Sequence, residues 1–214
     1  MPVRGTSSRA GSRRRQLLDA AIAVMQRTGF HEMSMQALAD EAAVSVGLVY
    51  KYFAGKEDLL LAAILDILDA FREQLPPAME AAGPDPVQRL AAGLRRYVEI
   101  IDANVDAVLL TYRESKTLSP GGRQQIKELE VRTAEPLRHA VHQGIATGVL
   151  AEVDVDLAVY DLMMLAHAWA LKRWHFAGTF TVESYIRAQT ALLLRALLNP
   201  DRTADYRHLL GGNS

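Results

Sequence analysis

The sequence predicts an all-α fold in two parts, an N-terminal three-helix domain and a larger C-terminal helical bundle. Three observations carry that expectation. Apolar residues recur at helical spacing through nearly the whole chain, and strand-like alternation is absent. Residues 34 to 59 contain two short helix patterns, each preceded by a serine, with a run of small residues between them. Of the 214 residues, 50% are hydrophobic, enough for one large or two modest cores, and none is cysteine, so no disulfide framework contributes.

Residues 1 to 12 are rich in Gly, Ser and Arg with no apolar run, and read as a flexible basic arm. A first helix is expected from about residue 12 to 28, with Leu18, Ala21, Ile22 and Met25 on one face and Gly29 ending it. Ser34 precedes the spacing Met35, Leu38, Ala39, Ala42, so its hydroxyl can cap the free amides of a second helix. Ala42-Ala43-Val44 forms a turn, and Ser45 caps a third helix from Val46 to about Phe53. A helix so short is stable only when packed.

The third helix has two chemically distinct faces. Val49 and Phe53, four apart, can pack on Leu38 and the first helix, which turns Val46, Gly47, Tyr50 and Lys51 outward. That outward set suits DNA: Gly47 admits close approach, Val46 offers an apolar contact to a thymine methyl, and Tyr50 and Lys51 reach phosphates or base edges. Lys56 follows as a phosphate anchor, and Arg13, Arg14 and Arg15 stand at the head of the first helix. Residues 1 to 56 hold eight bases and four acids, a net of +4; the remainder holds sixteen bases and twenty-one acids, a net of −5. The N-terminal arm either enters a minor groove or is a solvated leader. On pattern alone, a Ser-capped helix pair without any DNA role is an equally common object.

The run Ala42-Ala43-Val44-Ser45-Val46-Gly47-Leu48-Val49-Tyr50-Lys51-Tyr52-Phe53, with Lys56-Glu57-Asp58-Leu59 after it, resembles the N-terminal helix-turn-helix of TetR-family transcriptional regulators. Two positions depart from the family: Ala43, where a turn glycine is usual, and Val49, where leucine is commoner. Ala43 costs little provided the turn keeps a negative φ. The resemblance implies a DNA-binding domain at residues 13 to 55, with Arg13, Arg14, Arg15, Ser34, Met35, Ser45, Val46, Gly47, Tyr50, Lys51, Tyr52 and Lys56 toward DNA. It implies a ligand-binding and dimerisation domain at 56 to 198, and a homodimer on a palindromic operator of double-stranded DNA.

A long helix is expected from residue 56 to about 74, stopped by Pro76-Pro77, with a loop over 78 to 86. In the family the corresponding helix links the two domains, which makes it a candidate lever. Further helices are expected at about 87 to 102, 104 to 115, 121 to 147, 155 to 177 and 182 to 198, with 199 to 214 a largely surface tail. The resemblance assigns the helices at about 155 to 177 and 182 to 198 to the dimer interface.

His167 and Trp174 stand seven apart, placing both on one face of a single helix, with Met163 four before His167. Tyr112 and Arg113 end the apolar run Val108 to Leu110. If these meet, they frame an apolar pocket with a polar mouth, to which Ile64, Leu68, Phe71, Tyr97, Ile101, Leu109, Met164 and Arg173 are further candidates. The same residues read equally well as core packing, with His167 a satisfied core histidine. Their runs look similar to those of regulators that sense acyl-CoA thioesters or fatty-acid-like ligands. That likeness implies an acyl chain along Met and Leu walls and phosphates on Arg113 or Arg173.

Catalytic and metal chemistry find no support. His139 and His142 are three apart but lack a third ligand at metal spacing, and no phosphate-cradling glycine loop, nucleophile elbow or paired-carboxylate motif occurs. No cofactor is expected. No secretory signal or membrane-spanning run is read, so a cytoplasmic protein is expected. The function expected is a ligand-responsive DNA-binding regulator, a repressor released by a small hydrophobic effector. The alternative is an all-helical enzyme or ligand carrier whose N-terminal module is structural.

Overall fold

The computed structural model describes residues 6–211. Among the described residues the chain is all-α, with one isolated bridge between Leu150 and Leu198. It divides into two compact units whose limits differ from the expected 13 to 55 and 56 to 198. The first unit takes residues up to Ile67 together with Asp106–Lys127, and the second takes Leu68–Val105 and the residues from Glu128 onward.

In the first unit, α1 (Thr6–Thr28) starts earlier than the sequence suggested, so residues 6 to 12 of the expected arm are helical; residues 1 to 5 lie outside the described residues. Extending an existing helix adds a hydrogen bond per residue without a new nucleus, which Ser7 to Ser12 tolerate. The helix buries Leu17, Leu18, Ala21, Val24 and Met25 and ends at Gly29, whose φ of 85 lets its N–H reach the Met25 carbonyl at 2.8 Å. Both serine caps form: Ser34 Oγ accepts from Ala37 N–H at 3.0 Å at the start of α2 (Met35–Glu41). Ser45 Oγ accepts from Leu48 N–H at 3.3 Å at the start of α3 (Val46–Tyr52).

The turn between them closes differently from the expectation. Val44 N–H bonds the Ala39 carbonyl at 2.9 Å and Ala43 N–H bonds the Asp40 carbonyl at 3.2 Å, the paired bonds of a Schellman ending. That ending needs a left-handed residue, and Ala43 has φ 52, so the condition under which alanine would cost little there, a negative φ, is not met. An L-residue with a Cβ pays about 1–2 kcal/mol for this conformation.

The helix α4 (Lys56–Ala81) runs through Pro76 and Pro77 rather than stopping before them. Each proline forfeits one helical bond, but Leu75 and Met79 on the same stretch are buried, and each such side chain contributes about 1.5–3 kcal/mol. The connection to α5 (Pro86–Ala103) is correspondingly short. Next come α6 (Val105–Glu114) and α7 (Pro120–Ala146). Within the first unit, α6 is held to α1 by the Gln26 amide donating to the Asp106 carbonyl at 2.5 Å. The Glu57 carboxylate of α4 accepts from Ser119 N–H at 2.6 Å.

In the second unit α5 packs against α8 (Val155–Leu171) and α10 (Val182–Leu197). Asp85 organises its start: one carboxylate oxygen accepts from Val87 and Gln88 N–H at 2.8 and 3.0 Å, the other from Tyr206 Oη at 2.7 Å. Gly93 lets α5 approach its neighbours, since a Cβ there would meet Leu137 at 2.8 Å and Met79 at 3.2 Å. The segment expected to be surface tail forms 3-10 turns over Pro200–Leu209, kinked at Tyr206, and buries that residue, whose phenol is pushed up to about 12 by burial and by the Asp85 carboxylate. Residues 212 to 214 lie outside the described residues.

The expected helix at 155 to 177 is broken. Lys172, at φ −120 and ψ 25, ends α8, and a separate turn, α9 (Arg173–Phe176), follows. The break lets Phe176 reach Tyr185 at 5.1 Å between ring centroids and Arg173 reach Asp102 at 2.6 Å. His167 and Trp174 therefore do not share one helical face.

Candidate functional site

The candidate reading face is α3. Val49 and Phe53 are buried beneath it, and Gln16 of α1 donates to the Ala42 carbonyl at 3.1 Å, fixing the turn that precedes it. Against that anchor Gly47, Tyr50 and Lys51 are exposed, Tyr50 by 55%, while Val46 and Tyr52 are half-buried. Neither the Tyr50 hydroxyl nor the Lys51 ammonium makes a hydrogen bond among the described residues. Unused donors on a rigid exposed helix are what contact with phosphates and base edges requires.

The other DNA candidates are partly committed to the fold. Arg15 pairs with Asp66 at 2.6 Å, Arg13 bonds Gln16 at 2.7 Å, and the Arg14 guanidinium lies 5.5 Å from the Phe53 ring centroid. The Lys56 ammonium donates to the His31 carbonyl at 2.8 Å and sits 5.2 Å from the centre of the Phe30 ring. Ser34 and Ser45 spend their acceptor capacity on helix caps, which leaves each hydroxyl proton available to a phosphate. Met35 is half-buried at the start of α2.

The candidate effector residues fall in both units. In the first unit Ile64 is buried and Leu109 half-buried, Tyr112 is 45% exposed, and Arg113 lies 3.5 Å from both Glu114 and Gln26. In the second unit Leu68, Ile101 and Met163 are buried, and Phe71, Tyr97 and His167 come together. The Phe71 and Tyr97 rings stack at 4.0 Å, and Tyr97 Oη lies 3.2 Å from His167 Nε2. Burial lowers the His167 pKa from 6.5 to about 4, so the imidazole is neutral at pH 7 and can give or take one hydrogen bond at each nitrogen.

Met164 and Trp174 are turned outward, 48% and 81% exposed. Arg173, read as a phosphate ligand, bonds Asp102 at 2.6 Å and stacks over Trp169 at 5.4 Å. Asp102 also accepts from the Trp169 indole N–H at 2.8 Å. Sequence reasoning missed Asp102; its signal was an acid near the end of a helix whose buried face is otherwise apolar.

Comparison with known proteins identifies the family. Residues 17 to 63 match the model of bacterial regulatory proteins of the tetR family, and residues 83 to 197 match the tetracyclin repressor-like C-terminal domain. The chain is 33% identical over 186 residues to the HTH-type transcriptional regulator HbdR of Aromatoleum sp. (strain CIB), spanning 87% of this chain and 81% of HbdR. It is 28% identical over 206 residues to the HTH-type transcriptional repressor KstR2 of Rhodococcus jostii (strain RHA1), spanning 93% and 97% of the two chains. The crystal structure of AibR with isovaleryl coenzyme A and operator DNA shares the fold at a TM-score of 0.73 and 23% identity, over 85% of this chain and 98% of that one. With a helix-turn-helix whose reading face is anchored from below, and with both family domains matched along its length, this chain belongs to the TetR family of DNA-binding transcriptional regulators.

Proposed function

We propose that the protein is a homodimeric, cytoplasmic repressor that occupies a palindromic operator and leaves it when a small hydrophobic effector, of acyl-CoA or fatty-acid-like chemistry, binds the helical part. The observation that carries the reading is the α3 face, where Tyr50 and Lys51 stand exposed over the buried Val49. Dimerisation is supported by an exposed apolar strip in the second unit: Leu157 and Met164 of α8 and Leu192 of α10 are exposed, with a shallow concavity lined by Met164, Leu165 and Leu192 between the helices. Two-fold pairing there would present two α3 helices to successive major-groove faces.

The effector reading is supported by the Phe71, Tyr97 and His167 cluster, a buried apolar group with a neutral polar pair. AibR, with the same fold, holds isovaleryl coenzyme A and operator DNA in one complex. Coupling is read as a population shift in the dimer. α4 begins beside the reading helix and continues into the second unit, so an effector that favours a different α4 position changes the spacing of the reading heads.

The test is operator selection from random duplex DNA, then binding measured against salt. Wild type is expected to prefer a palindrome and to weaken steeply with salt, and Tyr50→Ala to bind that site about tenfold more weakly. Absence of sequence preference at low salt would remove the reading.

A further inference from the structure

A cleft of about 400 Å³ opens in the second unit between the later turns of α4 and α7, with Arg89 of α5 among its lining residues. Met79 and Ala140 are buried at its base, whereas Arg72, Arg132 and His139 are exposed around it, accompanied by Glu80 and Glu135. Two of its lining pairs are four residues apart and end in proline: Arg72 with Pro76 on α4, and Arg132 with Pro136 on α7. In an unbroken helix the N–H of residue 76 would bond the carbonyl of 72, and that of 136 the carbonyl of 132; proline has no N–H to give. Residues four apart share a helix face, and both residues of each pair line the cleft.

The cleft thus combines two backbone acceptors that lack their helical donors with guanidinium donors and an apolar base. Arg72 also holds Asp69 at 3.0 Å, and Arg89 Nε donates to the Gly83 carbonyl at 2.7 Å; Arg132 makes no hydrogen bond or ion pair among the described residues. A neutral ligand would leave the arginines unanswered, and a simple fatty carboxylate would leave the carbonyls unanswered. We propose that this cleft binds an anionic amphiphile whose body carries amide N–H or hydroxyl donors. The anion lies on Arg132 and Arg89, a donor meets the Arg72 or Arg132 carbonyl, and the apolar part rests on Met79 and Ala140. N-acyl amino acids and phosphopantetheine-type amides share this chemistry. The site shares no residue with the Phe71, Tyr97 and His167 cluster.

Calorimetric titration of the full chain with N-octanoylglycine tests the assignment, without DNA, so its failure is separate from any failure of the operator reading. Saturable binding is expected, with octanoate and N-octanoylglycine methyl ester each about tenfold weaker, since one lacks the donor and the other the anion. Arg132→Ala and Pro136→Ala are each expected to weaken N-octanoylglycine about tenfold. Pro136→Ala should do so while raising the melting temperature, because it supplies the missing helical donor to the Arg132 carbonyl. Whether 4′-phosphopantetheine binds more or less tightly than N-octanoylglycine decides which source of the shared chemistry fits better. No saturation by either amide at millimolar concentration, equal affinity for all three octanoyl probes, or wild-type affinity in both variants would overturn the proposal.

Discussion

The helices α3 and α8 use polar side chains in opposite directions. α3 is seven residues long and its Val49 is fully buried, so its polar side chains point outward with their hydrogen-bonding capacity unspent. α8 is seventeen residues long and mostly apolar, and its His167 and Trp169 turn inward to partners on α5, Tyr97 and Asp102. A helix that offers contacts outward needs a rigid anchor and free donors; a helix inside a bundle needs its polar groups paired in fixed orientation within apolar surroundings. Polar side chains are thus left free on one helix and committed to internal partners on the other.

Breaking the inward set should have the largest effect. Tyr97 is 1% exposed and stacked on Phe71, so Tyr97→Ala is expected to cost about 3–5 kcal/mol in urea unfolding, while helical content at low denaturant stays near wild type. A loss below about 1 kcal/mol would mean that the stack carries little of the second unit's stability.

The next effect is pH dependence. The folded His167 pKa, about 4, lies below the unfolded value of 6.5, so between these values the unfolded chain binds more protons. The stability held above about pH 6.5 is lost as pH falls toward 4, on the order of 2–3 kcal/mol in total. His167→Leu is expected to flatten that slope in unfolding measured between about pH 7 and pH 5. An unchanged slope in the variant would transfer the dependence to other groups.

The smallest effect lies beside the outward set. Ala43→Gly relieves the positive φ at the Schellman turn and is expected to stabilise the protein by about 0.5–1 kcal/mol, read as a raised melting temperature. A lowered melting temperature would show that the glycine's extra freedom in the unfolded chain outweighs the relief.

The outward face was legible because it depends on local signals. Ser34 and Ser45 cap through amides three residues away, and the spacing of Val49 and Phe53 determines which side of α3 is left for Tyr50 and Lys51. The strain at Ala43 escaped local reading because alanine tolerates many turns, and only the Schellman bonds demand a left-handed residue. The run through Pro76 and Pro77 escaped it too, since the burial of Leu75 and Met79 outweighs what prolines cost in isolation.

By itself, then, the sequence determined the helical class, the helix-turn-helix and its exposed face, all of which rest on interactions within a few residues. Tertiary structure decided where α8 breaks, which acid holds Arg173 and Trp169, that Tyr206 docks onto the cap of α5, and that α6 joins the first unit. Those choices depend largely on partners 67 to 121 positions away in the chain, for which neither periodicity nor capping carries a signal.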